Sequence, residues 1–89
     1  METVHLLISG KVQGVFYRAT AKKMAEGLRI NGWIKNIPNK KVEAIISGEP
    51  SQVNEFIKWC KKGPAGADVK DVTITALAET DFFDFKIIR

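Results

Sequence analysis

The sequence contains very few of the residues that build disulfides and metal centres. Its 89 residues include one cysteine, Cys60, and one histidine, His5. A single cysteine excludes a disulfide bond within the chain. The His, Cys, Asp and Glu residues also form no cluster with the spacing of metal ligands. We therefore expect no metal site.

Long apolar runs are missing as well. No segment approaches the length that spans a membrane, and residues 1–7 lack the basic start and apolar run of a secretion signal. We expect no membrane contact and a reducing, cytoplasmic compartment. The length corresponds to one domain over residues 1–89.

The composition is that of an ordinary globular protein, with 45% hydrophobic and 27% charged residues. The net charge of +4 suits an anionic ligand. It would also suit nucleic acid or a membrane surface, so charge alone does not choose between these partners.

Hydrophobic periodicity predicts strands and helices in alternation. Apolar residues at every second position predict strands, and apolar residues three or four apart predict helices. A helix is predicted over residues 17–28, and a second begins at 48–51 and ends at 61–64. Strands are predicted at 4–8, 33–37, 41–47, 69–78 and 83–87. The order βαββαβ predicts an α+β, ferredoxin-like sandwich, with two helices on one face of a mainly antiparallel sheet and a short fifth C-terminal strand.

Residues 10–18 join the first strand to the first helix. Gly10 and Gly14 allow the backbone to turn tightly with its N–H groups pointing inward. The helix start adds unpaired N–H donors and a partial positive charge, and Arg18 adds a fork of donors. This combination predicts a cradle for a small oxyanion such as phosphate. It lacks the Lys-Ser/Thr ending of a Walker A loop and the spacing of a dinucleotide loop.

Two segments resemble signature motifs of the acylphosphatase family. Residues 10–18 read GKVQGVFYR and are similar to the first motif. Residues 32–36 read GWIKN and are similar to the second, which continues through Val42 and Glu43 to Gly48 at the family's spacing. The resemblance covers nearly the whole chain, because members of the family are single domains of about this size.

The resemblance implies the same ferredoxin-like fold and a cofactor-free hydrolase. An acyl phosphate and water would give a carboxylate and inorganic phosphate, which would also act as an inhibitor. Arg18 would bind phosphate and Asn36 would orient the attacking water, and packing would bring the two close together. We expect a monomer with no nucleic-acid partner. The residues expected to bind phosphate are Gln13, Gly14, Val15, Phe16, Tyr17 and Arg18.

The residue types fit this reaction. An acyl phosphate expels a carboxylate, whose conjugate acid has a pKa of about 4, so no proton must be delivered to it. An alkyl phosphate expels a poor leaving group and normally needs an acid or a metal. The candidate site offers an Arg, an Asn and backbone amides, without an evident acid, base or nucleophile.

Other side chains are expected to be structural. Gln13 ties the loop through its side chain and takes no part in catalysis, and Cys60 is a buried, inert thiol. His5 is structural or exposed rather than a base. Trp33 packs in the core or at an edge.

Two other function classes stay open. An RNA-binding domain of this fold needs stacking aromatics in its central strands, and the strands at 4–9 and 42–47 contain none. The other class is a binding or regulatory domain that keeps the fold without turnover. The presence of both Arg18 and Asn36 argues against it.

The chain departs from the family's pattern at three positions. Lys40 stands where a glycine is expected in the hairpin turn, and we expect Asn39 to supply the left-handed residue. Tyr17 replaces a frequent phenylalanine, and Arg29 a frequent glycine at the helix end.

Overall fold

The computed structural model describes all residues from Met1 to Arg89, and a five-stranded sheet lies at its centre. The elements in chain order are β1 (Glu2–Lys11), α1 (Tyr17–Gly27), β2 (Asn31–Ile37), β3 (Lys41–Gly48), α2 (Pro50–Lys62), β4 (Asp68–Leu77) and β5 (Phe85–Ile88).

The sheet has the strand order β4-β1-β3-β2-β5. Every neighbouring pair is antiparallel except β2 and β5, which run parallel. Helix α1 packs on β2 and β5, and α2 packs on β1, β3 and β4. The predicted ferredoxin-like sandwich with a short fifth strand is confirmed.

The core lies between the helices and one face of the sheet. In the central strands, buried residues alternate with partly exposed ones, as expected when helices cover one face only. Ala21 and Ala25 are fully buried on α1, where their small side chains allow the helix to lie close to the sheet. Phe56 on α2 is also fully buried, and burying a side chain of this kind stabilises the fold by about 1.5–3 kcal/mol. Neither helix is long and apolar enough to cross a membrane.

Strand β1 is longer than the predicted strand at 4–8. Gly10 therefore lies in the strand and not in the turn where the sequence pattern placed it. The strand runs to Lys11 through an irregularity between Ser9 and Gly10, and Gly10 pairs with Val69 of β4. A Cβ at Gly10 would lie 2.2 Å from the carbonyl oxygen of Asp68. Gly10 is therefore required by close strand packing, and Gly14 alone of the two glycines lies in the connection to α1.

The last strand is shorter than predicted. The apolar alternation placed Phe83 in it, but β5 begins at Phe85, and the side chain of Phe83 is 99% exposed. Phe85 is buried and is therefore the residue that anchors this segment to the core.

The turn between β2 and β3 contains two consecutive residues in the left-handed region. Asn39 has φ 68°, as the sequence predicted, and Lys40 also has φ 62°. Arg29, after α1, has φ 58°. Both Lys40 and Arg29 stand where the family often has glycine, and a residue with a Cβ adopts this region at a cost of about 1–2 kcal/mol.

Candidate active site

The first turn of α1 is open to an anion. Phe16 lies at the N-cap position with φ 61°, and no side chain caps the helix. The first turn contains no Asp or Glu, and the Phe16 side chain is 81% exposed. The N–H groups at the start of a helix have no partner within the helix, and the helix dipole adds partial positive charge there. This end of α1 therefore has the donors and the field that an oxyanion needs.

A pocket of about 400 Å³ opens beside this turn. Arg18 lines it, is half-buried, and forms no ion pair with a protein carboxylate. Its guanidinium therefore keeps its donors for a ligand. The lining comes from the loop, the start of α1 and the end of β5: Val12, Gly14, Phe16, Tyr17, Arg18, Ala19, Ile87 and Arg89.

Strand register brings Asn36 to the same end of the molecule. Asn36 alternates with the buried Ile34 and so lies on the helix-covered face of β2. The parallel pairing of β2 and β5 ends at Lys35 and Ile88, so Asn36 and Arg89 are the next residues of the two segments. Arg89 lines the pocket that contains Arg18. Asn36 itself is exposed and is not among the residues that line this pocket.

Gln13 fastens the loop to the hairpin that carries Asn36. Its side-chain Nε2 donates to the carbonyl oxygens of Ile37 at 3.0 Å and of Lys41 at 2.8 Å. These two carbonyls flank the hairpin turn on β2 and β3. The expected structural role of this side chain is confirmed, and the tie fixes the loop relative to Asn36.

Tyr17 anchors the first turn of α1 to α2. Its hydroxyl donates to the carbonyl oxygen of Cys60 at 2.8 Å, and its ring packs on Trp59 with centroids 5.1 Å apart. Burial, reinforced by the neighbouring Cys60, raises the pKa of Tyr17 well above its usual range, so the hydroxyl stays protonated and donates. The backbone at Arg18 is thus held while the Arg18 side chain stays free.

The remaining candidates are structural, as expected. The Cys60 side chain is fully buried, and burial raises the pKa of its thiol to about 12, so the reactive thiolate does not form near neutral pH. His5 contacts Glu43 at 2.8 Å on the face of the sheet that the helices leave uncovered. Trp33 is half-buried, and the Lys35 ammonium lies 5.2 Å from its ring centroid. No group of three or more His, Cys, Asp and Glu residues is placed to hold a metal ion.

Comparison with known proteins gives the family. A sequence model of acylphosphatases matches residues 4–87. The chain belongs to the acylphosphatase family. An acylphosphatase of Syntrophus aciditrophicus is 43% identical over 89 residues, covering 99% of this chain and 93% of the relative. The predicted family and enzyme class are confirmed.

Solved acylphosphatase structures share the fold over the whole chain. An acylphosphatase from Coxiella burnetii has a TM-score of 0.94 and 36% identity, covering 98% of this chain and 92% of that one. One from Bacillus subtilis has a TM-score of 0.96 and 26% identity, with full coverage of both chains. The βαββαβ arrangement around the Arg18 pocket is therefore the fold of known acylphosphatases.

Arg89 was not among the residues that the sequence singled out. It follows Phe85 and Ile87 at alternate positions, and both of these face the core. This alternation is the sequence signal that could have placed Arg89 on the helix-covered face of the sheet, next to the loop. The pocket therefore has a second arginine beside Arg18.

Proposed function

We propose that this acylphosphatase hydrolyses acyl phosphates by charge and positioning alone. Arg18 and the backbone amides of residues 13–18 bind the phosphoryl group, and Asn36 holds the attacking water. The observation that carries the proposal is the half-buried, unpaired Arg18 in a pocket at an uncapped helix N-terminus.

Hydrolysis of an acyl phosphate requires little beyond a bound phosphoryl group and a positioned water. In the reaction, water attacks phosphorus, the bond from phosphorus to the acyl oxygen breaks, and the leaving group departs as a carboxylate. That group is stable without a proton near neutral pH. The barrier then lies mainly in positioning the water and in the charge on the phosphoryl oxygens.

Arg18 acts on that charge. Its planar guanidinium presents paired N–H donors that match two phosphoryl oxygens, which a lysine cannot reproduce. Donors fixed at a helix N-terminus form stronger hydrogen bonds as negative charge develops on the phosphoryl oxygens in the transition state. They do so without having to reorganise at that moment. Arg89, which also lines the pocket, adds a second cation.

Asn36 acts on the nucleophile. Its side-chain carbonyl accepts a hydrogen bond from the water and aligns an oxygen lone pair with phosphorus. An amide is not a base, so its contribution is orientation. Asn36 lies on a strand that Gln13 fixes to the phosphate loop, which supports this role.

Further properties follow from the proposal. Inorganic phosphate, the product, carries the group that the pocket binds and acts as a competitive inhibitor. Residues 1–89 function as one domain, which their common sheet and core support. A monomeric state and a cytoplasmic location stay predictions.

The test is phosphate release from acetyl phosphate compared with p-nitrophenyl phosphate. We expect kcat/KM to be at least on the order of 10²-fold higher for acetyl phosphate, because acetate is a weaker base than p-nitrophenolate and leaves more readily from a site that supplies no general acid. Comparable values on the two substrates would contradict the proposed chemistry. Phosphate binding without any release would identify a binding domain instead.

A further inference from the structure

A second pocket adjoins the phosphate loop. It has a volume of about 470 Å³ and is lined by Gly10, Lys11, Val12, Gln13, Gly14 and Lys40. Val12 and Gly14 line the Arg18 pocket as well, so the two pockets meet along the loop. The space around Gly14 is open, because no atom beyond Gly14 and its two chain neighbours lies within 4 Å of the position that a Cβ would take. A short chain of atoms can therefore pass over Gly14 from one pocket to the other.

The second pocket has an excess of positive charge. Lys11 and Lys40 are exposed, and neither forms an ion pair. The acid nearest to Lys11 in the strand register is Asp68, and its carboxylate lies 3.1 Å from the ammonium of Lys70. The charges of both lining lysines thus remain available to a ligand.

The backbone of Lys40 lies next to the loop in a conformation that is energetically unfavourable for lysine. It has φ 62°, a conformation that favours glycine or asparagine. The turn that carries it is fixed to the loop by the two hydrogen bonds of Gln13 to Ile37 and Lys41. Residues with a strained backbone are often found at functional sites, so the conformation of Lys40 supports a functional role for this residue.

We propose that Lys11 and Lys40 form a subsite for a carboxylate at the far end of the acyl group, so that acyl phosphates of short dicarboxylic acids are preferred substrates. The proposal rests on the proposed function. The phosphoryl group occupies the Arg18 pocket, the carbon chain passes over Gly14, and the distal carboxylate meets the two ammonium groups.

The experiment compares kcat/KM for succinyl phosphate and acetyl phosphate at low ionic strength. The wild type is expected to prefer succinyl phosphate. Lys11→Gln and Lys40→Asn should each lower the ratio of the two values by roughly two- to fivefold, the range that an exposed ion pair supports. Asparagine at position 40 removes the charge and suits the left-handed backbone. Lys40→Arg keeps the charge and should keep the ratio.

Lys23→Gln is the matched control, because Lys23 is an exposed lysine on α1 that forms no ion pair. It should leave the ratio unchanged. A wild-type ratio near one, or an equal fall in all three charge-removing variants, would overturn the subsite while leaving acetyl phosphate turnover as evidence for the proposed function. Absence of turnover on both substrates would overturn the proposed function itself.

Discussion

Gln13 provides a direct test of how the loop is held. Gln13→Met keeps a flexible side chain of similar length but removes both N–H donors. The carbonyl oxygens of Ile37 and Lys41 then lose hydrogen bonds of 3.0 and 2.8 Å. We expect the loop to separate from the hairpin, with effects on both stability and activity.

The magnitude follows from the two bonds. A hydrogen bond within a protein contributes about 0.5–1.5 kcal/mol net, so two of them contribute about 1–3 kcal/mol. For a domain of this size each kcal/mol shifts Tm by roughly 4–8 °C, which gives a fall in Tm of roughly 4–24 °C. The kcat/KM for acetyl phosphate should fall by about tenfold or more, because a misplaced positioning element costs up to about 10²-fold.

The measurements are thermal melting by circular dichroism and initial rates of phosphate release. Gln52→Met is the control, since Gln52 is a half-buried glutamine on α2 whose side chain forms no hydrogen bond with the protein. If Gln13→Met and Gln52→Met have the same Tm and the same kcat/KM, the reasoning about the loop is refuted.

Three further predictions concern stability, metal dependence and pH. Tyr17→Phe should destabilise the fold by about 1–3 kcal/mol in urea unfolding, because the Cys60 carbonyl loses its partner; an unchanged midpoint would contradict the anchoring role. Phosphate release should survive excess EDTA, whereas loss on chelation that one divalent ion restores would exclude the cofactor-free mechanism. Stability should fall as pH rises from about 9 towards about 12, because the Cys60 thiol ionises near 9.0 in the unfolded chain but near 12 in the folded one. Urea unfolding across this range should show a smaller fall in the free energy of unfolding for Cys60→Ala than for the wild type. An equal dependence on pH in the two proteins would contradict this prediction.

The sequence was sufficient to predict the order of the elements and the position of the loop between β1 and α1. Alternation in β1 and helical spacing in α1 and α2 identified those elements, because each buries one continuous apolar face. The first motif pointed to Arg18, and the structure places this residue in a pocket at the helix start.

The parts that could not be predicted depend on contacts between distant segments. Gly10 appeared to belong to the turn, but its role is set by the backbone of β4, which approaches it closely. Phe83 continues the alternation of β5 but packs on nothing. Lys40 is left-handed in addition to Asn39, although the lysine side chain itself disfavours that conformation. Alternation with Phe85 and Ile87 gives the face on which Arg89 lies, but only the packing of the folded chain shows that it lines the same pocket as Arg18.

The central claim is that Arg18 binds the phosphoryl group and Asn36 holds only the water. The most direct measurement is the inhibition constant of inorganic phosphate together with kcat for Arg18→Ala and Asn36→Ala, each first shown to be folded. We expect Arg18→Ala to lose both phosphate binding and turnover. Asn36→Ala should keep nearly the wild-type phosphate affinity while kcat falls by about 10²-fold or more. Loss of phosphate binding in Asn36→Ala to the same degree as in Arg18→Ala, or full turnover in Asn36→Ala, would contradict the assigned roles.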